Sequence, residues 1–195
     1  MAIKYQFNKV AMQELRKQLR IRESALPTLK SKESALRLIL KKEKDNLSNL
    51  NESLKKKFEE IDSFVRLWGE FPDIFYLKDI LLNVQKIAGV KSPVLKEVDF
   101  TVLDFSFFHN PAWTIFGVDY LKELTKLIVQ IEVAKKKLEI LDYARKKTTQ
   151  KVNLYEKVQI PEYASAIRKI KRYLEDVDNL EKSAQKITKQ KQAGA

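Results

Sequence analysis

The chain has no cysteine and one histidine, His109. Disulfide frameworks, thiolate zinc sites and Cys/His nucleophile pairs are thereby excluded together. The lack of cysteine also suits a reducing compartment such as the cytosol. Glycine is scarce: Gly69, Gly89, Gly117 and Gly194 are the only four, and no two lie closer than twenty residues. A phosphate-cradling loop needs two glycines bracketing a short turn ahead of Lys-Ser/Thr, so no nucleotide site of that kind is expected. His109 sits in a His-Asn-Pro turn without an acid or hydroxyl at catalytic spacing and reads as a loop residue. Long apolar runs are missing too. The longest uncharged run, Phe105 to Val118, contains Ser106, His109, Asn110 and Pro111, and the first ten residues have no apolar core, so neither a membrane span nor a signal peptide is expected. Arginine is the minority base, 8 of 38 basic residues. Lysine is a solvated point charge poorly suited to bidentate base-edge recognition, which argues against specific nucleic-acid reading. The sequence therefore assigns no catalytic residue, cofactor or metal.

What is present is a ladder. Stepping alternately three and four residues from Leu15 to Trp68 gives sixteen positions, twelve of them apolar, interrupted by Arg22, Glu33, Glu43 and Lys57. The mean spacing of 3.5 is that of a coiled-coil seam rather than of an isolated amphipathic helix. At 1.5 Å per residue such an arm is about 80 Å long and needs a partner throughout, since each exposed Leu forgoes roughly 1.5–3 kcal/mol of burial. Residues 3–14 read as a helical lead-in. Pro27 falls inside the ladder without disturbing its phase, which predicts a bend and not a break. After Gly117 the helical period resumes through Leu121, Leu124, Ile128, Ile131, Leu138, Leu141, Val152, Ile160, Ile167, Ile170, Leu174, Val177, Ala184 and Ile187, with Pro161 as the matching bend.

The fold class follows: mainly α, a long antiparallel two-helix coiled coil built from the N- and C-terminal segments, with a small central head of β-hairpin and aromatic residues. Residues 1–68 form the first arm, 69–117 the head, 118–190 the second arm and 191–195 a frayed tail, with fraying expected beyond Lys189. The hairpin spans about 80–103 with a wide loop at Gly89-Val90-Lys91-Ser92-Pro93. Asp73–Leu82 is alternatively a short helix. Phe105, Phe107, Phe108, Trp113 and Phe116 crowd around His109-Asn110-Pro111 as an aromatic plug or a docking surface. The formal charge of +12 divides as +7, −2 and +7 over residues 1–68, 69–117 and 118–195, so both arms are basic and suit an acidic environment.

An antiparallel fold-back also predicts a register. Opposed residue numbers summing to about 188, within four, set Trp68 level with Tyr120 and Pro27 beside Pro161. They also stack Leu36 on Val152, Leu47 on Leu141, Leu50 on Leu138, Leu54 on Ala134 and Phe64 on Leu124. A slip of one heptad sets Leu36 level with Arg145 and forfeits apolar layers.

The second arm carries a resemblance. Lys151, Val152, Asn153, Leu154 and Glu156, then Ile160-Pro161, followed by Ile167, Ile170 and Leu174, resemble the shaft-helix block of the D subunit of the V-type/A-type rotary ATPases. In the first arm Leu29, Lys30, Lys32 and Leu36 match that family's Leu-Lys-x-Lys pattern, in the LPTLK form of its bacterial branch, and Gly89-Val90 with Pro93 resembles its central hairpin. Departures are Glu33-Ser34, where many members have Arg and an acid, and Ala25 in place of an upstream glycine.

The resemblance implies a central-stalk rotor protein that transmits torque between a catalytic A/B ring and a membrane ion-translocating ring without catalysing anything itself. It implies as partners the small F subunit, the A and B subunits and the socket subunit of the membrane sector. No nucleic acid, cofactor or direct membrane span is implied, and the location is cytoplasmic, peripheral to the membrane. Contact residues carried over are Lys30, Lys32, Val152, Asn153, Glu156, Ile160 and Pro161, with Pro27 and Pro161 as bends. The alternatives are a basic nucleic-acid-binding coiled coil and a scaffold protein. Against the first, the clusters at Lys55–Lys57, Lys135–Lys137 and Arg145–Lys147 lack interleaved aromatics.

Overall fold

The computed structural model describes residues 4–62, 65–106, 108 and 110–193. Expectations resting on Phe64, Phe107, His109, Gly194 and Ala195 lie outside the described residues. In chain order the elements are α1 (Lys9–Asp62), a short α2 (Val65–Trp68), β1 (Phe75–Ile87), β2 (Val90–Val102), α3 (Thr114–Asn153), a π-helical turn (Leu154–Gln159) and α4 (Ile160–Ala193). The class is the expected one, two long helical segments with a two-stranded antiparallel hairpin between them. The chain forms two compact units, one of residues 1–33 with 147–195, the other of residues 34–146.

Every described rung of the ladder, from Leu15 to Trp68, is buried or half-buried, and none is exposed. Pro27 lies on the exposed side of α1, which continues through it as one helix. The first turn of α1 is capped by Asn8, whose Oδ1 accepts the Ala11 N–H at 2.6 Å. This corrects the helical lead-in over residues 3–14. Helix begins at Lys9, and Phe7 instead lies against Tyr173, ring centroids 5.0 Å apart.

In the first unit Leu15, Ala166 and Ile170 form the core, with Met12, Tyr163 and Leu174 against it. Past Val177, α4 has no buried or half-buried described residue, and Leu180 and Ile187 are 70% and 55% exposed. It stays helical to Ala193, beyond the expected fraying point at Lys189.

In the second unit Leu36, Leu40 and Leu141 form the core, and Ala88 and Val90 of the hairpin turn pack onto it. The hairpin is longer and tighter than the sequence suggests. Asp73–Leu82 is not helical, β1 starting at Phe75, and the wide loop is absent because Ile87 pairs directly with Val90 across Ala88-Gly89. Both turn residues have positive φ, 48° and 75°, the geometry of a type I′ turn. An alanine there is locally unfavourable, and its packing on the helical core offsets the strain. Two register shifts, between Leu77 and Asp79 and between Leu81 and Leu82, leave Lys78 and Lys96 outside the pairing.

The register differs from the expected one at most of its pairs, although Trp68 does lie beside Tyr120, ring centroids 6.0 Å apart, and Lys30–Glu156, summing to 186, falls within the expected four. Glu43 meets Lys137 at 2.6 Å and Lys57 meets Glu123 at 2.7 Å, and the numbers of each pair sum to 180, about one heptad from 188. Leu36 accordingly packs with Leu141. In the first unit the cross-helix pairs Arg22–Gln159, Glu33–Thr149 and Lys30–Glu156 sum to between 181 and 186. The ladder's four interruptions decide the matter. Arg22 donates to Gln159 at 2.7 Å, Glu33 accepts from Thr149 at 2.7 Å, and Glu43 and Lys57 form the two ion pairs, so every polar rung has a polar partner on the facing helix. A half-buried charge without a partner costs more than an imperfect apolar layer. Arg145 does not oppose this register either, since its guanidinium turns along its own helix to Asp142 at 2.9 Å.

Candidate functional site

The residues carried over from the sequence all fall in the first unit, around the π turn. Proline at 161 has no N–H to give the Lys157 carbonyl, and its ring would crowd that carbonyl in a regular α-helix. The backbone answers with a wider turn: the Ile160 N–H bonds the Tyr155 carbonyl, five residues back, and α4 then starts with Pro161 in its first turn, where a missing donor is tolerated. π turns of this kind recur at functional positions in helices.

Two side chains of α1, on either side of Pro27, hold this turn. Arg22 donates through Nε to Gln159 and through Nη1 to Gln18, and its guanidinium lies over the Tyr163 ring at 4.5 Å and the Tyr155 ring at 5.8 Å. Lys30 reaches Glu156 at 2.6 Å, with both side chains nearly half exposed. An exposed pair of this kind contributes only about 0–1 kcal/mol, so its role is orientation more than stability. Lys151 adds a weaker approach to Tyr155 at 5.7 Å.

The structure thus brings Lys30 and Glu156 together and sorts the others. Lys32 and Ile160 are half-buried, Asn153 and Pro161 are exposed, and Val152 is 5% exposed. Val152 is a core residue and offers no surface to a partner. Arg22, Gln159, Tyr155 and Tyr163, which form the clamp, are absent from the sequence-derived set. The signal that finds them is Arg22 itself, a charged rung on an apolar ladder and so in need of a polar counterpart.

The electrostatics elsewhere are those of a surface of paired charges. Hydrogen bonds from Lys146 and then Arg145 hold the Asp142 carboxyl below its usual range, and the hydrogen bond to Glu123 holds Lys57 above its usual value. Among the described residues no cluster of His, Cys, Asp or Glu is arranged to hold a metal, and no helix is long and apolar enough to cross a membrane. Within each unit, then, polar pairs tie facing helical segments together, and in the first unit one wide turn is clamped from the facing helix.

The family profile for the D subunit of ATP synthase matches residues 11–190. A V-type ATP synthase D subunit from Borreliella burgdorferi is 29% identical over 174 residues, covering 86% of each chain. One of the same name from Chlamydia abortus is 28% identical over 193 residues, 96% of this chain and 89% of the relative, and one from Chlamydia pneumoniae is 27% identical over 175 residues, 87% and 84%. With its match running through both helical segments and the hairpin, the chain belongs to the family of ATP synthase D subunits.

Proposed function

We propose that the chain is the turning shaft of the central stalk in a V-type rotary ATPase, carrying torque between the A/B ring and the membrane sector while other subunits perform the chemistry. As a family member it is a stalk component of a rotary ATPase complex. The observation that best supports a torque-bearing role is the locked register. All four polar rungs of the α1 ladder are tied to the facing helix, so the helices resist sliding past one another, as a shaft under load requires.

The finer assignments are part of the proposal. The exposed end of α4, residues 178–193, is a single helix whose Leu180 and Ile187 face solvent, which suits insertion into the cavity of the A/B ring. The small F subunit and the socket subunit are the remaining partners, and the location is the cytoplasmic side of the membrane. The excess of lysine lets the shaft be attracted to acidic walls without the bidentate grip of arginine, and so still turn.

Two measurements bear on this reading. Purification of the chain from its native host, with mass spectrometry of what accompanies it, should recover ATPase subunits at fixed stoichiometry. Their absence would end the proposal. Deleting residues 178–195 should leave the thermal transition of the isolated chain almost unchanged, because the segment's described side chains are all exposed, while lowering coupled transport in the assembled complex.

A further inference from the structure

The hairpin gives the second unit a free strand edge. β2 is its inner strand, with Ser92 and Val98 buried at 1% and 8%, whereas ten of the thirteen residues of β1 are exposed. The two-residue turn makes Ile87 and Val90 a hydrogen-bonded pair, so Gln85 and Asn83 point their peptide groups at β2 and Leu82, Val84 and Lys86 point theirs away. Two details agree with this alternation. Ser92 Oγ donates to the Gln85 carbonyl at 3.2 Å, and Pro93, which has no N–H, stands opposite Val84 where no donor toward β1 is needed. We propose that the outer edge of β1 takes up an extended segment of a protein partner as a third, antiparallel strand, with a carboxylate opposite Lys86 and a cation opposite Asp79.

The first observation behind the inference is an edge without a guard. Folded chains blunt free edges with bulges, prolines or charges. Here the bulges fall at Lys78 and Lys96, and the six residues of β1 from Ile80 to Gln85 include no charge, proline or glycine. Leu81, Leu82 and Val84 among them are 37%, 49% and 69% exposed. A regular apolar strand whose peptide groups face solvent is a template for strand addition.

The second observation is charge, and it specifies what the added strand carries. The pairing sets Asp79 opposite Asp99 and Lys86 opposite Lys91, one like-charged pair at each end of the uncharged stretch. Like charges directly opposite destabilise a sheet. Among the described residues none of these four side chains is in an ion pair, and Asp79 Oδ1 only accepts the Ile80 N–H at 2.7 Å. An antiparallel strand with its acid before its base brings each pair the counter-charge that the hairpin lacks. The reverse order adds a third like charge at both ends. Addition at the edge leaves the faces of the hairpin open, so the Val84 side chain keeps its access to solvent.

The inference rests on the chain working with protein partners, and its test does not need the assembled machine. The probe is the capped peptide Glu-Thr-Val-Thr-Val-Thr-Val-Arg, which spans the positions facing Lys86 back to Asp79. Its comparisons are the same peptide with Arg and Glu exchanged, and one with Gln at both ends. Each is added at constant ionic strength to the 15N-labelled full chain. With the first peptide the amide signals of Leu82, Val84 and Lys86 should shift, saturate and exchange more slowly with water, at an affinity about fivefold or more above that of the end-exchanged peptide. Asp79→Lys combined with Lys86→Glu supplies both counter-charges within the hairpin, so it should raise the thermal midpoint of the free chain and abolish the preference. No shift at these amides, equal affinity for all three peptides, or a preference that survives the double variant would overturn the proposal. The same amides shifting with chain concentration alone would make a second copy the occupant and overturn it as well. Should the double variant disturb the fold by circular dichroism, Lys91→Glu replaces it, and an unchanged preference there overturns the proposal equally. Failure of co-purification would remove the rotor reading and leave these shifts as they are.

Discussion

Removing the Glu43 carboxylate asks whether the polar rungs set the register of the helix pair. Glu43 and Lys137 lie 2.6 Å apart with side chains only 16% and 14% exposed, so Glu43→Ala leaves an ammonium in a mostly dry seam without its counter-charge. Breaking a fully buried pair costs about 3–5 kcal/mol, and residual solvent access here reduces that to about 2–3 kcal/mol. Glu123→Ala serves as the internal comparison. Its pair with Lys57 has side chains 27% and 67% exposed, and its loss should cost no more than about 1 kcal/mol.

The double variant Glu43→Leu with Lys137→Leu should recover most of the stability lost by Glu43→Ala, because a matched apolar pair replaces an ion pair at little cost. It should also loosen the register. With no native cysteine, introduced pairs report on this directly, since a disulfide closes only when the Cα atoms lie within about 4.4–6.8 Å. Cysteines at 40 and 141 should cross-link within one chain of otherwise native sequence, and cysteines at 47 and 141, one heptad away, should not. In the double-leucine background both pairs should close. Urea unfolding followed at 222 nm gives the energies and non-reducing electrophoresis the cross-links. A Glu43→Ala variant within about 0.5 kcal/mol of the parent, or a 47–141 cross-link in the native background, would refute the reasoning.

Pro27→Ala restores a helical N–H at an exposed position and should stabilise the first unit by up to about 3 kcal/mol, read as a raised urea midpoint. A loss of stability would mean that the proline shapes α1 in a way the packing needs. Gly89→Ala places a second Cβ in the left-handed hairpin turn, where φ is 75°, and should cost about 1–2 kcal/mol, measured on the same transition. Lys57, held above its ordinary 10.5 chiefly by its hydrogen bond to Glu123, contributes stability that is fully present below pH 10.5 and is lost as pH rises through the higher folded value. Glu123→Gln should flatten that alkaline loss, and an unchanged pH profile would show that the pair is not its source.

The apolar ladder was legible because burial follows spacing: all its described rungs are buried or half-buried, and the two long helical segments with a hairpin between them follow from it. Most of the register is not legible that way, because apolar layers alone do not fix it and the four polar rungs read as gaps in the ladder. Their partners Gln159, Thr149, Lys137 and Glu123 carry no periodic signal of their own, and only matching each charged rung with a polar or charged group across the seam reveals them. The hairpin turn misled for a related reason. Alanine at a left-handed position advertises nothing locally, and Ala88 is explained only by the Leu36–Leu40–Leu141 core beneath it. Of the candidate site, Lys30 and Glu156 each stand in a motif but their pairing does not follow from it, and the Arg22 clamp on the π turn depends on what Pro161 does to the backbone, which spacing cannot express.

The most direct test of the shaft proposal is rotation itself. Val84 is 69% exposed on the hairpin of a chain without cysteine, so Val84→Cys gives this chain a single attachment point for a gold particle in the surface-immobilised ATPase complex. With ATP the particle should turn in one direction in discrete steps, and it should stop when ATP is withdrawn. A complex that hydrolyses ATP while the particle on this chain stays fixed would contradict the account.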